Sequence, residues 1–168
     1  MKVLVVDDHA LIRDALRGVL KELKDDATIF EAADSRQARR LTDENPDLGL
    51  VLLDLNLPDR SGFDVLAELR GSRPAVSVVV LSALSDRDSV AKALDLGAAG
   101  FIPKSASREV MLSALRLVFS GGVSEYIYGR ETQEYGDMAR SVPSALIGVI
   151  RVARSPTHGA SIRSRQRR

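Results

Sequence analysis

The segment Lys2-Val3-Leu4-Val5-Val6-Asp7-Asp8 is the part of this sequence that decides the fold, because an unbroken apolar run ends there in two adjacent carboxylates. A continuous apolar run of this length is typical of a strand buried on both faces in a parallel sheet. A second run of the same kind, Leu48–Leu53, is followed directly by Asp54. The two runs predict two buried strands, each of which leads into acidic residues.

Strand and helix signals alternate through the first 120 residues. Apolar runs predict the strands, and apolar residues at helical spacing predict the helices. Ser61 and Ser85, each with an aspartate three residues later, predict capping boxes at two helix starts. The predicted strands are Lys2–Val6, Thr28–Ala33, Leu48–Leu53, Val76–Leu81 and Gly100–Pro103. The predicted helices are 10–23, Ser35–Asn45, 63–71, Ser85–Gly97 and Ser107–Ser120, the last one stopped by Gly121-Gly122.

This alternation predicts an α/β fold of the (βα)₅ type, in which right-handed crossovers place helices on both faces of a parallel sheet. The last part of the chain departs from the pattern. Residues 125–140 are polar, which predicts a linker. Residues 155–168 are rich in Arg, Ser and Gly, which predicts a disordered segment. We therefore expect one domain over residues 1–124 and an irregular C-terminal tail over residues 125–168.

The composition excludes several classes of protein. The 168 residues include no cysteine, which excludes a disulfide framework and cysteine-ligated zinc or iron–sulfur sites. With two histidines, a histidine-rich metal site is not expected either. The apolar runs are too short to span a membrane, and Met1 leads directly into a strand without a signal peptide. We expect a cytoplasmic protein with no membrane contact.

The net charge of +1 conceals an uneven distribution. Residues 1–124 carry 16 basic and 19 acidic side chains, a net charge of −3, and residues 125–150 have a net charge of −2. Residues 151–168 contain six arginines and no acid. An acidic body with a basic end differs from a uniformly basic nucleic-acid-binding protein.

The acidic strand ends indicate a binding site. The carboxyl ends of parallel strands lie along one edge of the sheet, where open α/β sheets bind ligands. Asp7, Asp8 and Asp54 would meet there with Lys104, which follows the predicted strand Gly100–Pro103. A divalent cation with oxygen ligands relieves the repulsion among crowded carboxylates, and a lysine can hold a phosphoryl oxygen. These residues predict a Mg²⁺-dependent pocket that accepts a phosphoryl group.

These residues, together with Ser82 after the fourth predicted strand, resemble the receiver domain of bacterial two-component response regulators over about residues 1–124. The sequences Val-Asp-Asp-His-Ala at 6–10 and Phe-Ile-Pro-Lys-Ser at 101–105 resemble its LuxR/NarL-type subgroup. The resemblance implies a flavodoxin-like doubly wound sheet with strand order 2-1-3-4-5. It also implies phosphorelay signalling, in which a sensor histidine kinase phosphorylates the receiver and the receiver controls an output, transcription regulation in this family.

The resemblance implies that Asp54 is the phosphoacceptor and that the cofactor is Mg²⁺. Asp8 and Asp54 would bind the ion directly, together with the backbone carbonyl of Asn56, and Asp7 would act through a bound water. Such a chain is a phosphoacceptor switch rather than an enzyme, with at most self-catalysed phosphorylation and dephosphorylation.

The resemblance also implies the residues that respond to the phosphoryl group. Lys104 and Ser82 would bind the phosphoryl oxygens, and Ser82 and Phe101 would switch conformation. Receivers more often have threonine and tyrosine at these two switch positions, but serine and phenylalanine preserve the hydroxyl group and the ring. Many receivers also have proline after the lysine, where this sequence has Ser105.

Three interpretations of the output, the process that the receiver controls, are compatible with the sequence. The LuxR/NarL-type resemblance implies a helix-turn-helix domain, but the residues after Ser124 lack the apolar periodicity of such a unit. The chain could be a single-domain receiver that acts through protein contacts, including a homodimer. Its arginine-rich end could bind nucleic-acid phosphates weakly and without sequence preference. The tail could also be a truncated or frame-shifted output domain. Under each of these interpretations, we expect no sequence-specific DNA binding by this chain.

A phosphohydrolase with an aspartyl nucleophile is the alternative from another class. Haloacid-dehalogenase-type enzymes place the nucleophile at the end of strand one and a second aspartate two residues later. Here Asp7 and Asp8 are adjacent, residue 56 is Asn, and the sequence has no insertion that would form a cap over a substrate. The receiver interpretation is therefore favoured.

Overall fold

The computed structural model describes residues 1–119, and five strands and five helices alternate along them. The strands are β1 (Lys2–Val6), β2 (Thr28–Ala32), β3 (Leu48–Asp54), β4 (Ser77–Ser82) and β5 (Gly100–Pro103). The helices are α1 (Ala10–Leu23), α2 (Ser35–Glu44), α3 (Gly62–Ser72), α4 (Arg87–Asp95) and α5 (Arg108–Phe119). All strand pairs are parallel, in the order β2-β1-β3-β4-β5. The predicted flavodoxin-like (βα)₅ fold is confirmed.

Alternate residues of the central strands build two separate cores, one on each face of the sheet. Because successive side chains of a strand point to opposite faces, a continuous apolar run supplies both cores at once. On one face Leu4, Val51 and Val80 pack with residues of α2, α3 and α4. On the other face Val5 and Leu52 pack with residues of α1 and α5. The result is a three-layer sandwich with the sheet in the middle.

The register of the strands brings the acidic strand ends together. Val6 of β1 lies opposite Leu53 of β3, so Asp7 and Asp54 are the next residues on two adjacent strands. On the other side of β3, Ser82 at the end of β4 lies opposite Pro103, and Lys104 follows directly. The carboxyl edge of the sheet therefore places the predicted site residues side by side.

The ends of α4 confirm one sequence prediction and correct another. The predicted cap at Ser85 is wrong, because Asp86 is the N-cap and its carboxylate accepts a hydrogen bond from the Ser89 amide at 2.9 Å. A carboxylate at the N-cap also balances the positive end of the helix, which a hydroxyl does not. At the other end Gly97 adopts a φ of 90°, a left-handed conformation that favours glycine and ends the helix as predicted.

The other boundaries within residues 1–119 agree with the prediction or differ from it by one residue. Ser61 is the N-cap of α3, but its Oγ accepts from the Phe63 amide rather than from the Asp64 amide of a capping box. The end of the last helix at Ser120, the linker and the disordered tail were predicted for residues outside the described part of the chain. Within residues 1–119, no helix combines the length and apolar character that a membrane crossing requires.

Candidate phosphoryl and metal site

Lys104 joins two buried carboxylates at the carboxyl edge of the sheet. Its Nζ lies 2.6 Å from Asp54 Oδ2 and 2.7 Å from Asp7 Oδ2. Both aspartate side chains are 1% exposed, and the Lys104 side chain is 14% exposed. The main chain fixes this lysine, because its amide donates to the carbonyl of Ser82 at 2.8 Å. The structure thus brings together three of the residues that the sequence assigned to the site.

Negative charge exceeds positive charge in this pocket. Asp7, Asp8 and Asp54 contribute three carboxylates, and Lys104 contributes one ammonium group, so these four side chains carry a net charge of −2. Carboxylate oxygens of the three aspartates lie within 4.8 Å of one another, together with a ring nitrogen of His9. Since uncompensated buried charge is costly, the cluster suits a divalent cation.

Two buried carboxylate oxygens in the pocket have no hydrogen-bond partner. Asp54 Oδ1 is one of them. Asp7 Oδ2 is the other, because its 2.7 Å contact with Lys104 is an ion pair without hydrogen-bond geometry. Buried polar atoms in proteins nearly always have a partner, so Asp54 Oδ1, which has neither a hydrogen bond nor an ion pair, is available to a ligand. Oxygen donors of this kind fit Mg²⁺.

The charge of Lys104 is maintained by its two partners. Burial by itself lowers the pKa of this ammonium group, but its close contacts with the carboxylates of Asp54 and Asp7 outweigh that effect. The net effect raises the pKa above its ordinary value. Lys104 is therefore a cation at neutral pH, and one oxygen of Asp54 always faces a positive charge.

His9 is the N-cap residue of α1, and its ring also reaches the acidic cluster. Its amide donates to Asp7 Oδ1 at 2.9 Å, which ties the first turn of the helix to the site. Its ring Nδ1 lies 2.7 Å from Asp8 Oδ1. Sequence reasoning missed this contact, for which position 9, next to the Asp-Asp pair, was the only signal. Asp8 is the most exposed of the three carboxylates, with 36% of its side chain accessible.

The turn after β3 is held close to α3 by a glycine. The Gly62 amide donates to the Leu55 carbonyl at 2.9 Å, and Asn56 pairs with Ser61 in an isolated bridge. A Cβ atom at position 62 would lie 2.3 Å from the Asp54 carbonyl oxygen, which no side chain tolerates. Glycine therefore lets α3 approach the end of β3 and fixes the turn that carries the Asn56 carbonyl. Sequence reasoning missed Gly62, although glycine in a first helical turn was a usable signal.

Ser82 and Phe101 are both buried beside this edge. Ser82 Oγ accepts a hydrogen bond from the Leu84 amide at 3.1 Å. A hydroxyl that accepts in this way keeps its own proton available for donation. Phe101 lies in the core on the face covered by α2, α3 and α4, at the position opposite Val80. Leu84, in the loop after Ser82, is partly exposed.

Comparison with known proteins assigns the chain to a family. The family model described as the response regulator receiver domain matches residues 3–116. The chain therefore belongs to the response regulator receiver family. Receiver domains of this family are signalling switches that sensor histidine kinases phosphorylate and that bind Mg²⁺ at an acidic pocket. The predicted phosphorelay role is confirmed at the level of the family, and the phosphohydrolase alternative gains no support.

Two relatives of the chain are named as an activator and as a response regulator. The chain is 39% identical over 122 residues to the glycerol metabolism activator of Pseudomonas putida, an alignment that covers 73% of this chain and 55% of that protein. It is 33% identical over 136 residues to the nitrate/nitrite response regulator protein NarP of Escherichia coli, which covers 77% of this chain and 63% of that protein. The chain thus spans between half and two thirds of these relatives, and the LuxR/NarL-type resemblance is confirmed.

A solved structure supports the same assignment. A chain of the CheX–CheY–BeF₃–Mg²⁺ complex from Borrelia burgdorferi superimposes with a TM-score of 0.66 and 27% sequence identity. The match covers 71% of this chain and 90% of that chain. The receiver fold and the family assignment therefore agree in sequence and in structure.

Proposed function

We propose that Asp54 accepts a phosphoryl group and thereby switches this receiver. The observation that supports the proposal is the asymmetry of its two carboxylate oxygens. Oδ2 contacts the Lys104 ammonium group, whereas Oδ1 is buried and has no partner. A carboxylate held in this way at the end of a central strand is oriented by its surroundings, which favours attack from one direction.

The residues around Asp54 fit Mg²⁺. Asp8 and Asp54 would hold the ion with the Asn56 carbonyl, and Asp7 would act through water. The bound ion would neutralise charge on the phosphoryl oxygens during transfer. The donor set, three carboxylates and a carbonyl, is the kind that Mg²⁺ prefers, and the net charge of the four charged side chains matches a divalent cation. The solved BeF₃–Mg²⁺ complex of a related fold is consistent with this proposal.

The phosphoryl donor would be a phosphohistidine of a sensor histidine kinase. An oxygen of the Asp54 carboxylate attacks phosphorus, the bond between phosphorus and the imidazole nitrogen breaks, and the leaving imidazole takes up a proton. The product is an acyl phosphate at Asp54. Lys104 is already 2.6 Å from Asp54 Oδ2, so its ammonium group would lie beside the new phosphoryl oxygens and pair with one of them.

Ser82 and Phe101 would report the modification. The Ser82 hydroxyl has a proton to donate to a phosphoryl oxygen, and the amide of Lys104 connects the main chains at the ends of β4 and β5. Phe101 lies on β5 opposite Val80, two residues before Ser82, so a movement of the β4 end would be passed to it through the paired strands. Such a local charge event biases a two-state domain.

The output is the second part of the proposal. We propose that the phosphorylated receiver takes part in transcription regulation, because two related proteins are named as a transcriptional activator and a transcriptional regulatory protein. The alternative is a receiver that acts only through protein contacts, including a homodimer. Over residues 125–168 the proposed domain organisation is a linker followed by a basic tail.

Phosphorylation by a small donor tests the proposal. The full chain is incubated with acetyl phosphate, with Mg²⁺ or with a chelator, and its intact mass is measured. We expect one phosphoryl group in the presence of Mg²⁺, little without it, and none in Asp54→Asn, because the amide does not form an acyl phosphate. Equal labelling of Asp54→Asn and the wild type would contradict the assignment.

A further inference from the structure

Asp7 is fixed by its main chain as well as by its side chain. Its amide donates to the Ala32 carbonyl of β2 at 3.0 Å, and its carboxylate accepts from the His9 amide. The Asp7 carbonyl has a third contact, with the Arg13 guanidinium, whose Nη1 donates to it at 2.7 Å. The conformation of the Asp7-Asp8 turn therefore depends in part on a side chain one turn into α1.

Arg13 is itself oriented by a carboxylate of the neighbouring strand. Its Nε donates to Glu31 Oε2 at 3.2 Å, and Glu31 lies opposite Val5 in the register of β1 and β2. The two side chains are 17% and 21% exposed, so the pair is largely shielded from water. The planar guanidinium donates to both partners at once, to the Asp7 carbonyl through Nη1 and to Glu31 through Nε. A lysine ammonium group cannot reproduce this geometry.

Arg17 contacts the same glutamate but not the acidic turn. Its Nε donates to Glu31 Oε1 at 2.8 Å, and its side chain is 55% exposed. Arg13 and Arg17 therefore share a helix, a charge and a partner, and among the described contacts they differ in the hydrogen bond to the Asp7 carbonyl. A comparison of the two arginines therefore distinguishes an effect on the metal site, which only Arg13 contacts, from an effect on the contact between α1 and β2, which both share.

We propose that Arg13 is a positioning residue for the metal site, because it holds the Asp7 carbonyl and so sets where the carboxylates of Asp7 and Asp8 lie. The inference rests on the proposed function, since it assumes that these carboxylates bind Mg²⁺. Glu31 keeps the guanidinium in place, and Arg17 supports Glu31 alone. Residues that orient metal ligands without touching the metal commonly change its affinity by 10- to 100-fold, as an order of magnitude.

Calorimetric titration of the full chain with Mg²⁺ tests this role. We expect Arg13→Ala to weaken Mg²⁺ binding about tenfold. The matched control Arg17→Ala should stay within about twofold of the wild type, because it leaves the contact with Asp7 intact. In Mg²⁺-free protein, NMR should show a shift of the Asp8 amide resonance in Arg13→Ala that is absent in Arg17→Ala. An affinity within twofold of the wild type in Arg13→Ala, or an equal loss in both variants, would overturn the proposal.

A second variant covers the case in which Arg13→Ala does not fold. Arg13→Lys keeps a cation and an aliphatic stem, and we expect it to bind Mg²⁺ at least about threefold more weakly than the wild type, since it lacks the planar fork. Wild-type affinity in Arg13→Lys would overturn the proposal in that case. Labelling of the wild type with acetyl phosphate is measured in parallel. No Mg²⁺ binding and no labelling would contradict the proposed function itself, whereas a labelled wild type with unchanged affinity in the variants contradicts only the role of Arg13.

Discussion

The ammonium group of Lys104 lies 2.6 Å from the Asp54 carboxylate, at the ends of two strands that are not neighbours in the sheet. β4 lies between them, and the Ser82 carbonyl at its end accepts from the Lys104 amide. The lysine is thus anchored by its main chain next to β4 while its side chain reaches the end of β3. The ammonium group is shared by the buried carboxylates of Asp7 and Asp54, and it lies where an added phosphoryl group would need a counter-charge.

Removal of that cation should destabilise the Mg²⁺-free protein. Lys104→Ala leaves Asp7 and Asp54 buried without their shared partner, and the loss of one member of a buried ion pair costs about 3 kcal/mol in the free energy of unfolding. Urea unfolding at neutral pH measures this loss of stability. Mg²⁺ should restore part of the loss, because it supplies positive charge to the same carboxylates. An exposed lysine variant, Lys92→Ala, is the control, and equal stability losses in both would contradict the account.

Asp8 should matter more than Asp7 for Mg²⁺ affinity. Asp8 is the more exposed carboxylate and is not paired with Lys104, whereas Asp7 is already engaged by the lysine and by the His9 amide. We expect Asp8→Ala to weaken binding at least about tenfold and Asp7→Ala to have a smaller effect, by calorimetric titration. Asp14→Ala on α1 is the control for a lost acidic charge. If Asp8→Ala and Asp14→Ala bind Mg²⁺ equally, Asp8 is not a ligand.

Gly62 should be intolerant of any side chain. In Gly62→Ala the new Cβ would lie 2.3 Å from the Asp54 carbonyl oxygen and 2.5 Å from Leu55 Cα, so the backbone has to move. We expect a loss of about 2 kcal/mol in the free energy of unfolding. Gly18 provides the matched control, because it lies inside α1 and a Cβ atom added there would have nothing within 4 Å. Gly18→Ala should gain about 0.5–1 kcal/mol, since alanine favours the helix. Denaturant midpoints of the two variants should therefore move in opposite directions.

The pair of arginines around Glu31 should make a pH-dependent contribution to stability. Burial by itself raises the pKa of Glu31, but the hydrogen bonds and charges of Arg17 and Arg13 outweigh it, and the net pKa is lowered. The stabilisation is then complete above the ordinary glutamate pKa of about 4.3 and is lost as the pH falls through the lower, folded-state pKa. Urea unfolding from pH 7 to about pH 3 should show a difference between the wild type and Glu31→Gln that shrinks on acidification. A difference that stays constant over this range would contradict the role of the Glu31 charge.

The fold could be predicted because it follows from patterns that are local in sequence. Apolar runs such as Val3–Val6 specify strands buried on both faces, and their order along the chain specifies the alternation with helices. The site could be predicted because parallel strands end at one edge, so Asp7, Asp54 and Lys104 had to meet there once the sheet formed. The strand order itself came from the family resemblance rather than from the pattern.

Other features depend on side-chain geometry that sequence spacing does not determine. Asp86 rather than Ser85 caps α4, because the backbone places its carboxylate next to the Ser89 amide. The close approach at Gly62 and the bond from Arg13 to the Asp7 carbonyl appear only when α3 and α1 pack against the sheet. These contacts join residues whose relative positions are set by tertiary packing.

The identity of the modified residue is the central claim, and chemical mapping tests it most directly. The full chain is phosphorylated with acetyl phosphate and Mg²⁺, the acyl phosphate is reduced with borohydride, and the digested peptides are sequenced by mass spectrometry. We expect the reduced residue at Asp54, where one carboxylate oxygen is buried without a partner and the other faces Lys104. Reduction at Asp7 or Asp8 instead, with Asp54 unmodified, would contradict the account.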